Sequence, residues 1–142
     1  MLLDDIGDIL STGGIGTVAS TEDWGIFYGF LPPSPDRAVA IFETAGNESI
    51  RAMSSGPGEA PAEQPRFQVR VRGEVYDYVE ARRKARDCFN LLDQLGGVTV
   101  NATRYLWVSA LQSPFALGLD DNNRPSVVCN FSVVKGLSTD TG

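Results

Sequence analysis

Pro65-Arg66-Phe67-Gln68-Val69-Arg70-Val71-Arg72 is the stretch on which the fold turns. In an extended strand successive side chains point to opposite faces. Phe67, Val69 and Val71 therefore share one face, and Arg66, Gln68, Arg70 and Arg72 share the other. One face can pack a core. The other carries three guanidiniums and no acid, which suits an acidic protein partner or a polyanion better than a small molecule.

Directly after this strand comes the longest helical pattern, over about residues 77–95. Tyr78, Ala81, Ala85, Cys88, Leu92 and Leu95 keep a three-four spacing on one face, flanked by Phe89 and Leu91. Glu80 and Lys84 form a favourable i,i+4 pair, and Gly96-Gly97 ends the helix. Upstream, Leu2, Leu3, Ile6, Ile9 and Leu10 predict a short N-terminal helix over 2–11, stopped by Gly13-Gly14. Asp4 and Asp5 suit the positive end of its dipole, and Asp4, Asp5 and Asp8 read as exposed dipole and solubility charges.

Between the helices, Gly25 to Phe30 reads as a strand that Pro32-Pro33-Ser34-Pro35 cannot continue. Ala38 to Glu43 is an apolar run, consistent with a strand buried on both faces. Residues 44–65 then change character, with Gly46, Gly56, Pro57, Gly58, Pro61 and Pro65 among polar residues. This predicts a mobile loop, and loops beyond about 12–15 residues are usually functional or disordered. Beyond the long helix, Val98–Val100, Thr103–Gln112 and Ser126–Val134 read as strands. Ser113-Pro114 breaks the second, and Asp120 to Asn123 makes a turn. The order gives α+β: a mostly antiparallel or mixed β-sheet packed by one long helix and a short N-terminal one, in a single domain over 1–135 with a polar tail over 136–142.

The chain has 142 residues, enough to bury roughly 70% of its unfolded surface around one core. No apolar run approaches the ~20 residues that span a bilayer, and the N-terminus lacks the basic start of a secretion signal. The expectation is a soluble chain used without export, with no membrane partner. Cys88 and Cys129 occupy apolar positions and read as buried thiols, although sequence alone leaves a disulfide open.

The net charge of −6 is unevenly spread. Residues 1–50 hold eight acids (Asp4, Asp5, Asp8, Glu22, Asp23, Asp36, Glu43, Glu48) and only Arg37 as a base. Residues 66–86 hold Arg66, Arg70, Arg72, Arg82, Arg83, Lys84 and Arg86 against Glu74, Asp77 and Glu80. Either these are complementary patches for head-to-tail self-association or they are solvated faces of one monomer. An acidic chain with a modest basic cluster is a poor candidate for a duplex-DNA footprint.

The chemistry inventory is thin. There is no histidine, the commonest general base and metal ligand. Two cysteines make no zinc pattern, Gly13-Gly14-Ile15-Gly16 follows a helix where a phosphate loop would follow a strand, and Asp120 to Asn123 lacks the ligand spacing of a calcium loop. No catalytic, cofactor-binding or metal residue is predicted, and an enzyme is not expected.

Two segments resemble a bacteriophage family of minor capsid or tail terminator proteins, which join siphophage tails to heads. One is Phe67 to Gly73, leading through Tyr78 and Glu80-Ala81-Arg82 into the long helix. The other is Leu111-Gln112-Ser113-Pro114-Phe115-Ala116-Leu117-Gly118 with Asp120, Arg124 and Asn130 to Val133. Leu2 to Ile6 and the Gly29-x-Leu31-Pro32 segment are similar too, whereas 44–65 is not. The resemblance implies a hexameric ring that binds the last ring of tail-tube protein and stops its polymerisation. The same ring would face a neck or head-completion protein, and phage DNA would pass through it without sequence-specific binding. It implies residence at the tail–neck junction of the virion, and in the host cytoplasm during assembly.

The expected subunit or tube interface is Arg66, Gln68, Arg70 and Arg72 from the basic face, Gln112 and Phe115 from the second matching segment, and Ser54, Glu59 and Glu63 from the loop. A neck stopper or head-completion protein, or a small-molecule-binding α+β module, are the alternative readings.

Overall fold

The elements run α1 (Leu2–Thr12), β1 (Thr17–Val18), β2 (Gly25–Tyr28), β3 (Ala38–Ile50), β4 (Ala62–Arg72), α2 (Tyr78–Leu92), β5 (Val98–Val100), β6 (Thr103–Ala110), β7 (Phe115–Leu119) and β8 (Pro125–Gly136). They are taken from a computed structural model that describes residues 2–50 and 62–136. The strands form one mixed sheet in the order β1-β2-β3-β4-β8-β6-β5, with β7 also on β8. The β1–β2 and β2–β3 pairs are parallel and the others antiparallel. β6 and β7 share one edge of β8, since Ala110 faces Phe131 and Phe115 faces Val128. They are one strand line interrupted at 111–114.

The alternation read at 65–72 sets the two faces. Val39, Val71 and Val127 lie side by side across three strands, as do Ile41, Val69 and Cys129. All six are buried, together with the stacked pair Phe67 and Phe131. Both helices cover this face. α2 buries Ala81, Ala85, Cys88 and Leu92, and α1 buries Leu3, Ile6 and Leu10 in the same core. Gly7 lets α1 approach β2, because a Cβ there would lie 2.1 Å from the Tyr28 hydroxyl oxygen.

Several expectations are corrected. Residues 44–50 and 62–65 are not loop: β3 and β4 continue as a hairpin, with Asn47 opposite Gln64 and Ile50 opposite Ala62, past irregularities in register. Backbone pairing needs no apolar side chains, so the polar composition concealed it. Ser54 and Glu59 lie outside the described residues, as does the tail beyond Gly136. α2 stops at Leu92, short of 95, because Asp93 turns extended and accepts from the Ala110 amide while Leu95 bridges to Val108. Tyr78, assigned to the buried helix face, is exposed. Glu80 pairs with Arg37, and Lys84 lies over the Trp24 ring at 4.6 Å, so the predicted Glu80–Lys84 pair is not made.

Asp5 is no surface charge. It is buried and accepts from the Tyr105 hydroxyl and from Asn101, which also donates to Asp8. Burial, then the Asp5 hydrogen bond and charge, raise the Tyr105 phenol well above its ordinary value.

Candidate assembly surface

The sheet face away from the helices carries the predicted basic row. Gln68 and Asn130 are register partners on β4 and β8, and Gln68 Nε2 donates to Asn130 Oδ1 at 3.0 Å. Arg70 donates to Gln68 Oε1 at 3.1 Å and lies 5.2 Å from the centre of the Phe42 ring on β3. A cation over an aromatic face is attracted by the ring quadrupole. Arg66 lies between Thr44 and Ser132. Arg66, Gln68 and Arg70 are all half-buried, and the Nε atoms of both arginines are shielded from solvent without an acceptor among the described residues. Gln68 and Arg70 are held by these contacts, and neither guanidinium of the row is in an ion pair among the described residues.

Arg72 does not belong to it. Only 3% exposed, it donates to the carbonyls of Pro32 at 2.7 Å, Pro35 at 2.6 Å and Asp36 at 2.9 Å. The 32–36 segment folds across the end of the row and takes this guanidinium into the structure. Arg124 supports the same segment through Pro33 O at 2.5 Å and Asp36 Oδ1 at 3.1 Å, and pairs with Asp120 at 2.9 Å. Burial would raise the Asp120 carboxyl, but the amides of Arg124 and Asn122 and the Arg124 guanidinium outweigh it and hold it below its ordinary value.

Charge segregation is also partly cancelled within the chain. Arg37, the single base of the acidic segment, pairs with Asp23, Glu74 and Glu80. Exposed acids outside these ion pairs include Asp4, Asp8, Glu22 and Glu43, and exposed bases include Arg83 and Arg86 of α2.

Gln112 and Phe115 lie at the break between β6 and β7. Gln112 is exposed and its carbonyl accepts from Cys129 Sγ at 3.1 Å, while Phe115 is 38% exposed in β7. Glu63 pairs with Lys135 in backbone register. The interface residues are thus only partly brought together: Arg66, Gln68 and Arg70 lie on the open sheet face, Phe115 joins the same face in line with Arg70 across Val128, Gln112 lies at the β6–β7 break, and Glu63 is on the hairpin arm.

Sequence reasoning missed β7. Leu117 and Leu119 are 51% and 52% exposed on a strand bonded along one edge to β8. The alternation Phe115, Leu117, Leu119 was the available signal. It was masked by Pro114 and by Gly118, whose φ of +94° sits in a bulge and favours glycine.

Both cysteines are free and buried. Burial pushes the Cys88 thiol up to about 12 and the Cys129 thiol up to about 11, so neither is a nucleophile at neutral pH. Among the described residues no group of three His, Cys, Asp or Glu side chains could hold a metal ion. No described helix is long and apolar enough to cross a membrane.

The family model described as "Bacteriophage tail terminator protein" matches residues 9–135. No curated protein matches the sequence. Among solved structures, a chain from the virion of a native gene transfer agent particle is similar at a TM-score of 0.63 and 14% identity, over 96% of this chain and 95% of that one. A second solved chain reaches a TM-score of 0.51 at 14% identity over 81% of each chain. At such identity these likenesses establish a shared fold.

Proposed function

The chain belongs to the bacteriophage tail terminator protein family, a family of structural phage proteins, and from that premise we propose that it caps the tail tube. Six copies form a ring that seats on the last ring of tail-tube protein, stops its polymerisation and offers its opposite surface to a neck or head-completion protein. Phage DNA passes through without base readout. The ring works at the tail–neck junction of the virion after assembly in the host cytoplasm. The family match carries this reading, because it spans all but the first turns of α1 and the last residue of β8.

The half-buried row of Arg66, Gln68 and Arg70 fits the tube contact. Gln68 and Arg70 are already oriented, and with Arg66 they meet an acidic surface with less side-chain ordering left to complete. Gln112, Phe115 and Glu63 are assigned to contacts between subunits or with the tube, and Ser54 and Glu59 with them.

The test is polymerisation of purified tail-tube protein with and without this chain, with tube lengths measured by electron microscopy. Tubes should stop lengthening at substoichiometric protein, with extra density at one end. Arg70→Glu should stay folded, since it removes one half-exposed bond and a ring contact, yet cap poorly. Tubes that lengthen equally with and without the wild type would refute the reading.

A further inference from the structure

α1 and the last turn of α2 do not close on each other. An apolar groove of about 380 Å³ remains between them, lined by Ile9, Leu91, Leu95 and Val98 and bordered by the exposed Asp8 and Thr12. A recess of that size, lined by half-buried aliphatic side chains, has room for an aliphatic side chain from another chain.

β7 has the opposite shape. All five of its residues are exposed, and among the described residues it bonds only β8, with no strand on its other edge. An exposed apolar edge strand is a template for another chain unless it is covered. Beside it runs a basic turn of α2: Arg82 donates to the Pro114 carbonyl at the start of β7, and Arg83 and Arg86 are exposed. Arg82 and Leu91 stand nine residues apart, about 14 Å along the helix. Groove and strand therefore occupy different ends of α2, and one copy cannot fill its own groove.

We propose that β7 of one copy seats in the groove of a second copy, with Leu117 entering between α1 and α2. The occupant is chosen by charge. The basic turn beside β7 meets the acidic outer face of α1, where Asp4 and Asp8 lie one turn apart, so the two patches attract while like patches repel. Because the contact joins two different surfaces, it is heterologous and generates a ring or a filament. It rests on the ring assembly proposed above and names the surfaces that build it.

The decisive experiment uses the full chain with Thr12→Cys and Leu117→Cys together. Cys88 and Cys129 are buried and do not compete. Mild oxidation should give a ladder of disulfide-linked oligomers, where either single variant gives at most a dimer. Absence of the ladder overturns the contact.

Sedimentation supplies the second arm. Leu117→Asp and Thr12→Arg change exposed side chains and should remain folded by circular dichroism, yet each should associate at least tenfold more weakly than the wild type. Mixed together they should form heterodimers and nothing larger, since one intact groove and one intact strand survive between them. A mixture that stays monomeric, a Leu117→Asp variant that assembles like the wild type, or a wild type that stays monomeric at high concentration overturns the contact. Tube capping is scored separately. Normal assembly of Leu117→Asp with intact capping removes this interface and leaves the terminator reading, whereas uncapped tubes with an intact ladder remove that reading and leave the interface.

Discussion

The Tyr105 hydroxyl donates to the buried carboxylate of Asp5, tying the first helix to a strand that follows it by a hundred residues. Asn101 of the β5–β6 turn donates to the same carboxylate and to Asp8, each at 2.8 Å, so α1 is held both to β6 and to the turn before it. Removing the hydroxyl in Tyr105→Phe leaves a buried oxygen short of a donor, at a cost of about 1–3 kcal/mol. Chemical denaturation should report that loss with an unchanged denaturant slope. Unaltered stability would mean that the carboxylate is satisfied without the tyrosine.

Phe67 and Phe131 stack with ring centres 5.0 Å apart and planes 13° from parallel, under α2. Phe131→Ala should destabilise by about 3–5 kcal/mol and Leu92→Ala by about 2–5 kcal/mol, through lost contacts and the cavity left behind. Thermal melts of both variants within a degree of the wild type would contradict the position of this core.

Arg72 offers a sharper contrast. Replacement by Met keeps much of the stem but strands three carbonyls of the 32–36 segment, each costing about 1–3 kcal/mol if it stays dry. Arg72→Lys should recover only part of the loss, because an ammonium lacks the planar fork that reaches several carbonyls at once. Equal stability of the Lys variant and the wild type would show that charge alone suffices. Arg70→Met, on the same strand face, should shift stability by only a few tenths of a kcal/mol.

The thiols predict an alkaline limit. Cys88 and Cys129 are neutral in the fold up to about 12 and about 11, while in the unfolded chain a thiol ionises near 8.5. The folded value is the raised one, so the stability is fully present below about 8.5 and is lost as pH rises toward the folded values. Each thiol contributes a fall of about 1.4 kcal/mol per pH unit in that window. Cys88→Ala should flatten the pH dependence of stability between about pH 9 and 10 relative to the wild type, whatever it does to stability at pH 7. Parallel profiles would rule out Cys88 as a source of the slope.

The parts of this fold that were legible are those where one periodicity governs one buried face. Phe67, Val69 and Val71 on β4, Val127 to Val133 on β8, and Ala81 to Leu92 on α2 repeat cleanly, and all lie in one core. Arg72 misled because alternation reports which face a side chain takes, and says nothing of a segment that later folds over that face. Asp5 misled because an acid in a first helical turn looks like any dipole charge until its partner arrives from a distant strand. The hairpin arms at 44–50 and 62–65 are held by backbone bonds that leave no mark in composition. Of the proposed contact surface, alternation placed Arg66, Gln68 and Arg70 on the open face but could not separate Arg72 from them, and the apolar strand β7 was hidden by a bulge.

The position of β8 has a consequence for synthesis. The last strand among the described residues, β8, is a central one, paired to β4 on one side and to β6 and β7 on the other. A nascent chain lacking it exposes two unpaired edges and half a core, and its closure depends on contacts between residues far apart in sequence, which form slowly. β7 has no strand to bond until β8 arrives, so its apolar edge is not displayed in order by an unfinished chain.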